Sequence, residues 1–229
     1  MKISKITTAI LATGLAISSA KGANIINPIE FRQADQAGFD IWPTAYTPGT
    51  STVTTANFAT PLTTSGTTTV TITASTALGQ ALNRGTIADG TPAGFSYSGL
   101  YRDLMIATTP TGFLTIDISG LNPSETYQFT LYAWDPGDAR DLDRTWQVTG
   151  GTGVPATDTV NWSNPLVDNE TFALNFDITT DAAGTFQLTD VGALQGSAIN
   201  GFILSQIPEP STAILAVMAS LGLLARRRR

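Results

Sequence analysis

Apolar and polar residues alternate with a period of two in several segments of this chain of 229 residues. The alternation is clearest in residues 114–119, 127–134 and 171–178. An antiparallel strand with one buried and one solvated face has this period, whereas a helix repeats every 3.6 residues. No helical period is sustained across residues 21–206. The pattern therefore predicts an all-β domain, a single antiparallel sandwich of two sheets with about eight to ten strands.

The segment 44–76 is rich in hydroxyl side chains, since serine and threonine make up 18 of its 33 residues. A glycosylated, weakly ordered stalk is one interpretation of such a composition. However, residues 69–73 (TVTIT) alternate β-branched apolar and polar side chains, which favours strands with threonine on their exposed face. One short helical turn is expected at residues 76–82.

Two parts of the predicted sandwich resemble known β-sandwich families. Residues 120–127 (GLNPSETY) resemble the turn and strand of fibronectin type III domains, in which a tyrosine packs at a corner of the sandwich. The strands at 25–31 and 199–204 resemble the first and last strands of galactose-binding-like and malectin-like jelly rolls, which commonly pair. Because residues 97–103 and the domain length depart from a fibronectin module, we expect a jelly roll.

The first twenty residues have the pattern of a secretory signal peptide. Lys2 and Lys5 precede an apolar run at residues 6–17, and the small residues Ser18 and Ala20 stand three and one positions before the expected cleavage site. The sequence therefore predicts export through the Sec machinery, with a signal helix at residues 1–20. The mature domain is expected to span residues 21–206.

The last 23 residues, 207–229, contain three consecutive features. Two prolines flank a glutamate, an uncharged apolar stretch covers residues 212–225, and a basic cluster ends the chain. The apolar stretch is shorter than the roughly 20 residues that span a bilayer comfortably, so a short hydrophobic helix held temporarily in the membrane is expected. The basic cluster predicts a cytoplasmic C-terminus. The charged and proline positions are Pro208, Glu209 and Pro210, followed at the end by Arg226, Arg227, Arg228 and Arg229.

This arrangement resembles the PEP-CTERM sorting signal of Gram-negative bacteria. The resemblance implies processing at or near residues 208–210 by an exosortase, a membrane-embedded enzyme. It also implies a transient inner-membrane intermediate, a final location at the cell surface or in the extracellular matrix, and an association with exopolysaccharide and biofilm. The domain before the signal is not specified by the resemblance, because the signal accompanies many unrelated exported domains.

Composition excludes several kinds of site. The chain has no cysteine and no histidine, so disulfides, cysteine nucleophiles, Ser-His-Asp triads and histidine-ligated metals are impossible. Between residues 21 and 206 there are 17 acidic and 6 basic side chains. Such a surplus of negative charge excludes nucleic acid as a partner and disfavours anionic polymers. We therefore expect a non-enzymatic surface component without a cofactor.

An alternative function is that of a carbohydrate-binding module. Aromatic faces stack on the apolar faces of sugars, and Tyr132, Trp134 and Trp162 are candidates for such contacts. Packing of the same rings in the core or at its rim is the other interpretation. A platform would require the rings to be exposed, and a neutral glycan is the ligand that the charge favours.

A further alternative is a calcium-stabilised adhesin. Four aspartates lie within nine residues of a predicted loop and are able to supply oxygen ligands for Ca²⁺, although their spacing differs from that of an EF-hand. Two arginines in the same segment favour an ion-paired loop instead. The residues are Asp135, Asp138, Asp141 and Asp143, with Arg140 and Arg144.

Overall fold

The computed structural model describes residues 23–31, 38–45, 47, 49–79, 82–83, 99–109, 111–135, 143–152, 156–164, 166–192 and 196–207. The predicted signal peptide and residues 208–229 of the predicted sorting signal lie outside these ranges. Within the described residues, no helix is long and apolar enough to span a membrane. The elements in chain order are β1 (Asn24–Glu30), β2 (Asp40–Ile41), β3 (Val53–Ala59), β4 (Thr67–Ala74), β5 (Leu82–Asn83), α1 (Gly99–Arg102), β6 (Asp103–Ile106), β7 (Leu114–Ser119), β8 (Thr126–Tyr132), β9 (Asp143–Val148), β10 (Thr157–Asn161), β11 (Ala173–Thr179), β12 (Phe186–Asp190), β13 (Ala198–Ile199) and β14 (Gly201–Gln206).

Two sheets form a sandwich. The five-stranded sheet has the order β11-β8-β14-β1-β2, and the six-stranded sheet has the order β10-β9-β12-β7-β4-β3. A third, short sheet has the order β13-β6-β5. The pairs within the two large sheets are antiparallel except for β1 and β2, which are parallel. The chain changes sheet at each step from β7 to β8, β8 to β9, β10 to β11 and β11 to β12, so the predicted antiparallel sandwich of jelly-roll type is confirmed.

The alternation in sequence corresponds to alternation in burial. In β7 the apolar residues are buried and the intervening polar residues are partly exposed, and β4 follows the same pattern over most of its length. The two sheets meet through large side chains, such as the rings of Phe129 and Phe186, whose centroids lie 5.9 Å apart. Burial of these inner faces supplies the hydrophobic contribution that holds the layers together.

The first and last strands pair, as the jelly-roll resemblance implies. β14 lies between β8 and β1, with Asn24 opposite Ser205 at one end of the β1 pairing and Glu30 opposite Gly201 at the other. The Gln206 backbone N–H donates a hydrogen bond to the Ala23 carbonyl over 3.0 Å. The two ends of the described domain therefore lie side by side.

The tyrosine corner predicted from the fibronectin-like segment is also present. Tyr127 is fully buried, and its hydroxyl accepts a hydrogen bond of 3.0 Å from the Asn122 backbone N–H. Burial raises the pKa of this hydroxyl. The turn before it requires glycine, since Gly120 has a φ of 83° and a Cβ there would lie 2.3 Å from the Thr67 carbonyl oxygen.

The threonine-rich segment forms strands, which confirms the favoured interpretation. β3 and β4 pair along their whole length, and the Thr55 and Thr71 hydroxyls lie 3.0 Å apart on the outer face. The expectation of a helical turn at residues 76–82 is wrong for the described residues 76–79 and 82, none of which is helical. The backbone hydrogen bonds of this segment join it to other segments instead. The Gly79 N–H donates to the Ile106 carbonyl over 2.6 Å, and Leu78 forms an antiparallel β-bridge with Ala107.

The two lateral edges of the sandwich differ. On one side, β10 and β11 are joined because the Asn175 backbone N–H donates to the Asp158 carboxylate over 2.9 Å. Thr152 also bridges Thr179 at this side. On the other side, the five-stranded sheet ends in the two-residue strand β2 and the six-stranded sheet ends in β3. The sandwich therefore has one closed edge and one open edge, the latter bounded by β2 and β3.

The turn before β12 leads to a prediction for the dependence of stability on pH. The Asp181 carboxylate accepts hydrogen bonds from the Thr185 hydroxyl over 2.7 Å and from the Thr185 and Ala183 backbone N–H groups over 2.8 and 2.9 Å. The Thr185 hydroxyl first, and then these N–H groups, hold the pKa of Asp181 below its ordinary value. Because the folded pKa is depressed, the stabilisation is present above the unfolded pKa of about 3.9 and is lost as pH falls through the folded pKa.

We therefore expect Asp181→Asn to lower the melting temperature at pH 7, with a difference from the wild type that disappears towards pH 2. Melting curves across this range measure the effect. Asp177→Asn, the same change at an exposed position of β11, is the control. If the melting temperature of Asp181→Asn stays below that of the wild type by a constant amount down to pH 2, the assigned role of the carboxylate is contradicted.

Candidate functional site

The three aromatic residues considered as a sugar platform lie in the core. Tyr132, Trp134 and Trp162 have only 2%, 6% and 5% of their surface exposed. The alternation of β8 ends at this point, because residues 131–135 are all buried. Trp162 and Phe172 contact the Trp134 ring, so both faces of the chain are covered there. An exposed stacking platform is therefore not formed by these rings.

Ring contacts explain this burial. The Trp134 indole stacks on Phe172 with centroids 4.4 Å apart and an interplanar angle of 15°. Tyr101, supplied by α1, meets both rings edge-on at 5.7 Å. Offset stacks and edge-to-face contacts are favourable aromatic geometries. These side chains form an aromatic cluster that closes one end of the sandwich.

The polar atoms of the aromatic cluster are bonded within the domain. The Trp134 Nε1–H donates to the Trp162 carbonyl over 3.2 Å, and the Trp162 Nε1–H donates to the Ala133 carbonyl over 2.9 Å. The Tyr132 hydroxyl donates to Glu170 Oε1 over 3.2 Å, and burial is the main cause that raises the pKa of Tyr132. Buried polar groups of this kind stabilise packing and are not available to a ligand.

The acidic loop is described only at its two ends. Asp135 is buried, and Asp143 accepts a hydrogen bond of 3.0 Å from Asn161 Nδ2. Asp138 and Asp141 lie outside the described residues. Within the part of the chain that the structure describes, no three acidic residues are grouped closely enough to hold a metal ion. Calcium binding therefore stays a prediction from the sequence.

Arg144 has a structural position. It is 2% exposed, and its guanidinium lies over the Trp162 ring at 4.5 Å from the centroid, a cation–π contact. Burial raises the pKa of nearby Asp190, while the neighbouring Ser197 hydroxyl, the hydrogen bond from the Gly192 N–H and the charge of Arg144 act in the opposite direction. Arg144 thus stabilises the domain interior at the base of the acidic loop.

A groove of about 480 Å³ lies at the open edge of the sandwich. Its walls come from β1, β2 and β3 and the residues that follow β2 and β3, so it lies between the two sheets at an edge that no strand of the described residues closes. We call it the open-edge groove. The lining residues are Asn24, Ile25, Ile26, Asn27, Ile29, Asp40, Ile41, Pro43, Asn57, Phe58, Ala59 and Pro61.

Polar side chains of the open-edge groove are held by hydrogen bonds to the sheets. Asn27 Nδ2 donates to Asp40 Oδ2 over 3.0 Å, which links β1 to β2. The Ser205 hydroxyl donates to Asn24 Oδ1 over 2.9 Å. The Thr69 hydroxyl donates to Asn57 Oδ1 over 2.7 Å. The amides and the carboxylate are thus oriented before any ligand arrives.

The apolar part of the groove is supported by a buried tryptophan. Trp42 is 7% exposed and meets Phe58 edge-on at 6.0 Å, and its Nε1–H donates to Thr54 on β3 over 3.3 Å. Ile41, in contrast, has 51% of its surface exposed. The Trp42 contacts therefore connect β2 to β3 and hold Phe58 in place at the groove, next to an apolar side chain open to solvent.

Sequence reasoning did not identify the groove residues. They come from separate segments, and neither β2, with two residues, nor the edge strand β3 was singled out by a motif. The only available signal was weak, namely the alternation of residues 53–59 next to the threonine-rich strand β4. The chemistry of this groove, with amides, one carboxylate and apolar side chains, suits hydrogen bonding to a neutral polar ligand.

No family model and no curated protein matches the sequence. Solved structures similar to the chain include a carbohydrate-binding module of family 61 with β-1,4-galactotriose (10% identity, TM-score 0.31), covering 67% of this chain and 88% of that one. A family 16 carbohydrate-binding module has 13% identity and a TM-score of 0.26, and the match covers 49% of this chain and 77% of that module. An exo-β-1,3-galactanase from Phanerochaete chrysosporium has 13% identity and a TM-score of 0.30, and the chain spans only 24% of its length.

The aromatic cluster leads to a stability prediction. We expect Trp134→Ala to lower the free energy of unfolding by about 3–5 kcal/mol, because it leaves a cavity against Phe172 and removes a buried hydrogen bond. Urea unfolding measures the loss. Val167→Ala, at a residue that is 53% exposed, is the control and is expected to change it by less than about 0.5 kcal/mol. Equal stabilities of the two variants would contradict the structural role of Trp134.

Proposed function

We propose that this protein is an exported, non-enzymatic component of the cell envelope or extracellular matrix. In this proposal, the Sec machinery exports the chain and residues 1–20 are removed. The C-terminal segment 207–229 then holds the protein in the inner membrane until an exosortase-like enzyme processes it at or near residues 208–210. The sequence features of the two ends support these steps.

The observation that carries the proposal is the position of the two ends of the sandwich. β1 begins at Asn24 and β14 ends at Gln206, and the two strands pair with each other. The Ile207 backbone N–H donates the last described hydrogen bond, to the Thr126 carbonyl over 3.1 Å. Cleavage after Ala20 and again near Pro208 would therefore remove no described strand and no described strand pairing. A folded domain of this kind tolerates processing at both ends.

The charge of the domain supports a role in contact with uncharged matrix. With 17 acidic and 6 basic side chains at positions 21–206, the processed protein repels anionic lipid and anionic polysaccharide. The outer face of the six-stranded sheet carries rows of neutral hydroxyl side chains beside the carboxylate of Asp117, and the Thr145 and Thr159 hydroxyls, for example, lie 2.9 Å apart. A neutral exopolysaccharide is therefore the matrix partner that we propose.

Processing is tested by changing Pro208-Glu209-Pro210 to three alanines in the producing cells. We expect the natural protein to end near residue 210, or to bear an adduct there, and the variant to keep Arg229 and to stay in the inner membrane. Mass spectrometry of the C-terminal peptide and membrane fractionation measure both properties. The physical reason is that two prolines hold the segment extended and accessible to a processing enzyme.

A matched control changes Ser205 to alanine, which leaves the motif intact and removes the hydrogen bond from the end of β14 to Asn24. It is expected to be processed as the natural protein is. If the natural protein and the triple variant both retain Arg229 in the same membrane, the C-terminal segment acts only as an anchor and the sorting proposal is wrong.

A further inference from the structure

We propose that the open-edge groove is a binding site for a neutral saccharide, such as a segment of an uncharged exopolysaccharide. This inference specifies the matrix contact of the proposed function and rests on it for where such a polymer is met. Its geometric basis is separate from the sorting signal. The groove belongs to the sandwich itself and is lined by residues of β1, β2 and β3.

The size of the groove suits a short run of sugar rings. Its volume of about 480 Å³ lies in the range of roughly 300–1,000 Å³ that is typical of small-molecule sites. It is formed without a ligand, because the wall from β1 is held by the pairing with β14 and the wall from β3 by the pairing with β4. A preformed site avoids the entropic cost of ordering loops on binding.

The hydrogen-bonding groups of the groove match hydroxyl groups. Asn24 and Asn57 each use the carbonyl oxygen of the side chain to accept from a neighbouring hydroxyl, which leaves their Nδ2 groups to donate. Asn27 donates to Asp40 Oδ2, which leaves Asn27 Oδ1 and Asp40 Oδ1 to accept. A sugar hydroxyl both donates and accepts, so this mixture of donors and acceptors binds neighbouring hydroxyls of one ring.

Apolar side chains supply the second half of a sugar site. Ile41 is 51% exposed, and Phe58, Pro43 and Pro61 lie around the same groove. A pyranose ring has a face of C–H groups that is buried favourably against such side chains while its hydroxyls reach polar groups at the rim. The Trp42 contact with Phe58 keeps this part of the groove from collapsing.

Charge selects a neutral ligand over an anionic one. The described lining residues include Asp40 but neither lysine nor arginine. A uronic acid or a phosphate group in the groove would face this carboxylate without a compensating cation, in a domain that already carries excess negative charge. An uncharged sugar meets no such cost.

The experiment uses two forms of the protein. One is the full-length chain in mild detergent, and the other is the protein as it is purified from the producing cells. Affinity electrophoresis is run in gels that contain a neutral polysaccharide, with a glucan, a galactan, a mannan and a xylan as probes, and polygalacturonate as the anionic comparison. We expect at least one neutral polymer to retard both forms and polygalacturonate to retard neither. No retardation by any of the four neutral polymers would overturn the proposal.

Variants locate the binding. We expect Asp40→Asn to raise the dissociation constant of the polysaccharide about tenfold, because the exposed carboxylate accepts a charge-assisted hydrogen bond from a sugar hydroxyl. Asn57→Ala combined with Ile41→Ser is expected to abolish retardation. Matched controls at other exposed surfaces, Asp177→Asn and Val167→Ser, are expected to bind as the wild type does.

Melting curves separate binding from unfolding. Asp40→Asn keeps the shape of the side chain and is expected to keep the wild-type melting temperature, so it remains informative even if the double variant unfolds. If Asp40→Asn and a folded double variant both bind the polysaccharide with wild-type affinity, the open-edge groove is not the binding site and the proposal is wrong. If the groove variants instead change the oligomeric state of the polymer-free protein in sedimentation, the groove is occupied by a second copy and the saccharide proposal is wrong.

Failure of this proposal is distinguishable from failure of the sorting proposal. Normal processing near residue 210 without retardation by any neutral polymer contradicts only the saccharide site. Retention of Arg229 together with retardation that depends on Asp40 contradicts only the sorting.

Discussion

The placement of β14 between β8 and β1 is the constraint on which the rest of the sandwich depends. This single strand joins the first strand of the domain to the remainder of the five-stranded sheet. Its pairing is the most distant in sequence, since Asn24 lies opposite Ser205. Contacts of such separation form late and cost loop entropy, so the sheet is completed only when the whole domain has been made.

The same placement determines which edge of the sandwich stays open. One side of β1 is occupied by β14, and on the other side the strand that pairs with it among the described residues is the two-residue strand β2. The opposite edge is closed by the bond between Asn175 and Asp158. Exposed edges invite pairing with other chains, and here the short β2 and the Pro43 and Pro61 positions limit it. The open-edge groove follows from this asymmetry and not from a local motif.

Sequence reasoning succeeded where structure follows local pattern and failed where it depends on distant contacts. The strands β4, β7, β8 and β11 were predictable, because each buries one face along its length. The tyrosine corner at Tyr127 was predictable because the turn and the tyrosine are adjacent in sequence. Edge strands such as β3 and β10 carry weaker patterns, since less of their surface is buried.

The aromatic cluster shows the limit of alternation. By period two, Trp134 should lie on the face opposite Leu131, yet both are buried. The reason is that Phe172 and Trp162 cover the Trp134 ring. Asn200 fixes the backbone there, because its Oδ1 accepts from the Trp134 backbone N–H over 2.7 Å while its Nδ2 donates to the Asp103 carbonyl over 3.1 Å. This amide holds three distant segments together at the end of the sheet. A buried asparagine of this kind has no signature in the sequence around it.

The position of the groove also connects the two proposals. Asn24 lines the groove and is bonded to Ser205, so one end of the groove lies where the C-terminal segment leaves the sandwich. The five residues from Ile207 to Ser211 extend at most about 17 Å. In the proposed inner-membrane intermediate, that end of the groove would therefore be confined near the lipid surface, where a long polymer has restricted access. The proposed processing near residue 210 would remove this confinement, so release and exposure of the groove to the matrix would become one event.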